Sequence, residues 1–132
     1  MNKIVSMLVL LLLSASVSIA ETRSVSFGNL KDGDTVTSPL HVEMLVQGLT
    51  VAPAGTMTEN TGHFHLIIDS PPVPKGEVVP ADENHIHFGK GQTSATLDLA
   101  PGAHTVILQF ADGAHRSYGP DLISTLHVTV KK

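Results

Sequence analysis

The chain has 132 residues, with eight Lys/Arg, twelve Asp/Glu, eight His and no Cys, and a formal net charge of −4. That length suits one small domain with its own core. A mildly acidic chain without a basic run is a poor nucleic-acid binder, and without cysteine there is no disulfide, thiolate metal site or lipid-attachment residue.

The first twenty residues, "MNKIVSMLVLLLLSASVSIA", carry one early cation (Lys3), an apolar run from Ile4 to Leu13 and a small-residue exit ending in Ser18-Ile19-Ala20. This is the pattern of a Sec-type signal peptide, with cleavage expected after Ala20. The apolar run is shorter than the roughly 20 residues that a membrane span needs. The expected product is therefore a periplasmic or secreted domain over residues 21–132. Loss of Lys3 takes its net charge from −4 to −5.

Along that domain the pattern is strands and turns. "RSVSFGNL" reads as a first strand, and "KDGDTVTSP" as turn chemistry built on Gly33 and Pro39. "LHVEMLVQG" alternates, with Leu40, Val42, Met44 and Val46 on one face and His41, Glu43 and Gln47 on the other. "HFHLIID" is the next strand. "SPPVPKG" ends it as a loop or edge excursion, because proline cannot donate to a central ladder. "ADENHIHFGKG" is loop with a short extended piece. "QTSATLDL" and "HTVILQFAD" flank an "APG" turn, "DGAHRSYGPD" is a polar loop, and "LISTLHVTVKK" ends the domain as a strand. The fold class is all-β, an immunoglobulin-like β-sandwich of about seven strands.

The chemical signal is histidine. His63 and His65 flank Phe64, and His85 and His87 flank Ile86. On a strand, residues i and i+2 share a face about 7 Å apart. Phe64, Leu66 and Ile68 therefore form a core stripe, while His63, His65, Ile67 and Asp69 face the other way. In "HIHF", Ile86 and Phe88 point inward and His85 and His87 are presented together. Two such pairs supply up to four neutral nitrogen donors. Without thiolates, that set suits copper or zinc. His104 and His115 are further candidate ligands, and Asp69, Asp82 and Glu83 candidate carboxylates, either as ligands or as acceptors that orient a ring.

A structural reading stands beside the metal one. The same four imidazoles can form a hydrogen-bonded network fastening the 81–92 loop to the sheet, in a domain that binds an envelope protein or polymer. His104 follows an "L-x-P-G" turn, where such sandwiches place a packed, hydrogen-bonded corner residue. His41 and His127 alternate with core positions and are surface residues. Met44 is core, and Met57 an exposed loop residue. "HFGKGQT" lacks phosphate-loop spacing, and its glycines permit a sharp turn. No nucleophile sits beside a readable base and no cofactor motif is present, so the expectation is a binding protein rather than an enzyme.

The motifs "APAGT", "NTGHFHLIID", "PADENHIHFGKGQT" and "L-x-PG-x-HT" together resemble the bacterial family called domain of unknown function 4399, from about residue 25 to 130. The resemblance implies a small exported protein and supplies no activity. The family pattern commonly has three successive histidines at the positions of His63-Phe64-His65. It often has a second histidine after the one matching His115, where Arg116-Ser117-Tyr118 stand here.

Overall fold

The computed structural model describes residues 12–17 and 22–132. Apart from residues 12–17, which form no regular element, the expected signal peptide lies outside the described residues. The strands are β1 (Ser24–Phe27), β2 (Thr35–Val36), β3 (Leu40–Gln47), β4 (Thr50–Val51), β5 (Thr61–Ile68), β6 (His85–His87), β7 (Ser94–Leu97), β8 (Gly102–Ala111) and β9 (Ile123–Val130). A 3₁₀ turn, Pro120–Leu122, precedes β9. The strands above the expected seven include the two-residue pieces β2 and β4. Both pair in parallel, β2 with β9 and β4 with β5. No helix among the described residues is long and apolar enough to cross a membrane.

The strands form a two-sheet sandwich. One sheet has the order β1-β3-β7. The other has the order β2-β9-β8-β5-β4, with β6 also paired to β5. The alternation of β3 buries Leu40, Val42 and Met44 and leaves His41, Glu43 and Leu45 in solvent. These residues meet Phe64, Leu66, Val106, Leu108, Phe110, Leu126 and Val128 from the second sheet, with Phe88 added from beyond β6. Phe64 and Phe110 are cross-strand partners with ring centroids 5.1 Å apart, edge to face. That geometry contributes about 0.5–1.5 kcal/mol beyond simple burial.

Antiparallel sheets commonly leave their second face wet. Here the central strands β5 and β8 are buried on both faces over most of their length. The outer face carries a second apolar cluster of Ile67, Ile107 and Ala111, covered by Val73 and Val79 from the proline-rich stretch after β5. That strap is fastened by Gln109, which is fully buried on β8. Its side-chain oxygen accepts from the Val73 amide at 3.0 Å, and its amide nitrogen donates to the Val73 carbonyl at 2.7 Å. Gln109 thus pairs with Val73 much as a strand neighbour would. The strap continues beside residues 115–117: the Gly76 amide donates to the Ser117 carbonyl and the Val79 amide to the His115 carbonyl.

Candidate metal centre

Three histidines come from two adjacent strands. His63 and His65 lie on the outer face of β5, opposite the core stripe of Phe64, Leu66 and Ile68. The β5–β6 register sets His65 directly opposite His87. The fourth, His115, comes from the loop after β8. Asp112 organises that loop: its Oδ1 accepts from the amides of Ala114 and Arg116, and its carbonyl from the amide of His115. His115 itself has a φ of 65°. A left-handed residue other than glycine is uncommon and costs of order 1 kcal/mol. The bonds to Asp112 and Val79 hold it there.

The four rings converge. His63, His65, His87 and His115 each offer a ring nitrogen, and these atoms all lie within 4.8 Å of one another. His63 Nε2 is 3.1 Å from His115 Nδ1 and 3.2 Å from His87 Nε2. Tetrahedral zinc with bonds of about 2.05 Å needs its nitrogens about 3.3 Å apart. The closest pairs already have that spacing, and the widest, at up to 4.8 Å, has to close by up to about 1.5 Å.

Hydrogen bonding does not satisfy the quartet. A neutral imidazole has one donor nitrogen and one acceptor nitrogen. His63 Nε2 holds either a proton or a lone pair, so it cannot serve both neighbours well. His63 Nδ1 and both nitrogens of His65 are buried without any partner. Each stranded nitrogen costs about 1–3 kcal/mol. Lone pairs left idle in this way are what a cation uses.

Burial also fixes the charge state. It pushes the His65 pKa down to about 3, helped by repulsion from the neighbouring imidazoles. Burial likewise pushes His63 down to about 4, again with help from His87 and His115, while Asp112 acts in the opposite sense. His87 is lowered for the same reasons. His63, His65 and His87 are therefore held neutral, the form that coordinates a metal.

The family described as a domain of unknown function, DUF4399, matches residues 42–131. The chain belongs to that family. No curated protein matches it. No solved structure matches it either.

Of the six candidate ligands in this DUF4399 domain, the fold brings four together and leaves His85 and His104 out. His85 shares a face with His87 but stands opposite Ile67, two pairs further along the ladder. Its Nδ1 is 2.6 Å from Asp82 Oδ1. His104, near the start of β8, has Asp69 Oδ2 at 2.7 Å from Nδ1 and the Ala100 carbonyl at 2.7 Å from Nε2. Both partners are acceptors, so both nitrogens donate. That requires the imidazolium, and the pKa of His104 is raised accordingly, first by Asp69 and then by Ala100. A ring donating from both nitrogens has no lone pair for a metal, and His104 is instead the corner residue that its turn implies. Asp69 and Asp82 are taken up by these two histidines, and neither they nor Glu83 belong to the quartet.

The positioning residues are less visible in sequence. The "APAGT" segment ties together the two loops that deliver His87 and His115. The Ala54 amide donates to the Gly89 carbonyl at 2.9 Å, and the Gly55 amide to the Gly113 carbonyl at 2.8 Å. Gly89 lies so close to His87 that a Cβ there would fall on its ring, and a Cβ on Gly113 would fall on the Thr56 backbone. The only hint of this in the sequence was the presence of glycine in three separate loops. Phe64, where the family commonly has a third histidine, is fully buried in the main core and stands outside the quartet.

Proposed function

We propose that this protein is an exported transition-metal-binding module that holds copper or zinc through His63, His65, His87 and His115. The observation that carries this reading is His65, a fully buried ring with both nitrogens unpartnered among three other imidazoles. A purely structural network would be expected to satisfy its innermost member. Four imidazoles without thiolate or carboxylate suit Cu(II) or Zn(II). The export reading rests on Lys3, the apolar run and the Ser18-Ile19-Ala20 exit. The role proposed is carriage, buffering or sensing of the ion rather than catalysis.

The test is calorimetry with Zn(II) and Cu(II) on untagged protein, alongside a His63→Ala/His65→Ala variant. A bound ion at 100 times its dissociation constant adds about 2.7 kcal/mol of stability. Binding weaker than about 10 μM, or binding unchanged in the variant, would rule the reading out. The competing reading, a non-metal envelope-binding domain, predicts instead a large loss of apo stability in the same variant and no response to either ion.

A further inference from the structure

The quartet is buried on the strand side and open on the other. His65, His87 and His115 form one wall of a pocket of about 340 Å³, and the remaining walls are Val78, Val79, Pro80 and Ala81. That volume lies within the ordinary range of about 300–1,000 Å³ for small-molecule sites. Among the described residues no charged side chain lines it. Val78 and Ala81 are exposed at its rim, while Val79 belongs to the outer apolar cluster.

The donor set is also electrically incomplete. Four neutral imidazoles bring no negative charge, so a divalent ion among them leaves two positive charges at a largely buried site. An uncompensated buried charge is costly. Asp112 is the carboxylate whose charge acts on His63, and its Oδ1 is already committed to the Ala114 and Arg116 amides. The pocket walls beside the ion supply no anion.

We propose that the quartet binds its divalent ion together with a small carboxylate carrying a compact apolar substituent, seated between the imidazoles and the Val78–Ala81 wall. This rests on the metal-binding reading. The carboxylate neutralises the ion, and the aliphatic body fills the apolar pocket. The protein is itself acidic, with a net charge of −4. It has no long-range attraction for anions, so the ion must be the anchor, and carboxylate binding requires the loaded site.

The experiment uses Co(II)-loaded protein in chloride-free, non-coordinating buffer. Acetate, isobutyrate, acetyl-alanyl-valine and neutral imidazole are each titrated while the visible Co(II) bands are followed. The carboxylates should shift the bands saturably. Isobutyrate should bind more tightly than acetate, by roughly fourfold for each added buried carbon. The apo protein should bind neither. Tighter binding of the dipeptide than of isobutyrate identifies the terminal carboxylate of a peptide as the source, and the reverse a free acid. An Ala81→Phe substitution, at an exposed position, should fill the pocket and weaken isobutyrate at least about tenfold while Co(II) stays bound. Bands that no carboxylate moves, or that only imidazole moves, overturn the inference and leave the metal site standing. So does an Ala81→Phe protein that responds like the parent. Failure to bind Co(II), Zn(II) and Cu(II) at all removes both.

Discussion

His65 and His87 are direct cross-strand partners in the β5–β6 ladder, with ring centroids 5.2 Å apart. A three-residue strand thereby fixes the geometry of two candidate ligands through backbone hydrogen bonds. His63, two residues before His65, then sits 4.8 Å from it and 4.9 Å from His87, centroid to centroid. The ladder register decides this arrangement. A slip of β6 by one residue would turn His87 to the opposite face and bring Ile86 or Phe88 to the site.

His65 should trade stability for binding. A His65→Leu change keeps the volume approximately and removes two buried, unpartnered nitrogens. The apo protein should unfold at equal or higher denaturant concentration, with a gain of up to about 1–3 kcal/mol, while affinity for Zn(II) or Cu(II) falls at least about 100-fold. Paired urea titrations and calorimetry check this. A strongly destabilised apo protein would show instead that His65 is a structural residue.

Removing His85 or His104 should separate the other histidines from the quartet. His104→Ala breaks the contacts to Asp69 and Ala100 and should cost about 1–3 kcal/mol, with metal affinity within about twofold of the parent. His85→Ala should likewise leave binding intact. A large loss of metal affinity in either variant would contradict the four-ligand assignment.

Gly89 should act through His87. A Cβ at residue 89 collides with the imidazole, so Gly89→Ala must push the ring aside. The expected result is a folded protein whose metal affinity is lower by about 10–100-fold, the usual penalty for disturbing a ligand's support. Ring resonances in an NMR spectrum should show His87 displaced and His104 unchanged. Unaltered affinity would mean that the ring has free space not apparent in the structure.

Acid should destabilise the apo protein. His63 and His65 have an ordinary value of 6.5 and are lowered to about 4 and about 3 in the fold. Below pH 6.5 the unfolded chain takes up protons at these positions before the native state does. Each group therefore removes stability as the pH falls, at up to about 1.4 kcal/mol per pH unit, until its folded value is reached. His104 has the opposite sign: its raised value contributes fully below 6.5 and is lost as pH rises through the folded value. The urea midpoint should drop between pH 7 and pH 5, and drop less in His65→Leu. Equal midpoints at the two pH values would show that these rings are not held neutral.

The strand pattern, the core stripe and the sidedness of β5 were legible in the sequence because a two-residue period assigns faces without knowledge of partners. Phe64, Leu66, Phe88 and Met44 are buried as that period requires. His41, His127 and Met57 are exposed where alternation and loop composition placed them. The covering of the outer face was not legible. "SPPVPKG" has the composition of a plain loop, and the burial of Val73 depends on Gln109, 36 residues later. Nor does local pattern distinguish His87 from His85, which share a face of β6.

The sequence by itself determined the all-β class, which imidazoles face away from the core, and a donor set without thiolates, because residue chemistry and strand period are local properties. Only the tertiary structure decided that His63, His65, His87 and His115 meet while His85 and His104 are taken up by aspartates. Asp82 stands only three residues before His85, but Asp69 reaches His104 from 35 residues away. The quartet itself depends on strand register and on a loop bent at His115, which join residues distant in the chain and are not encoded in their own neighbourhoods.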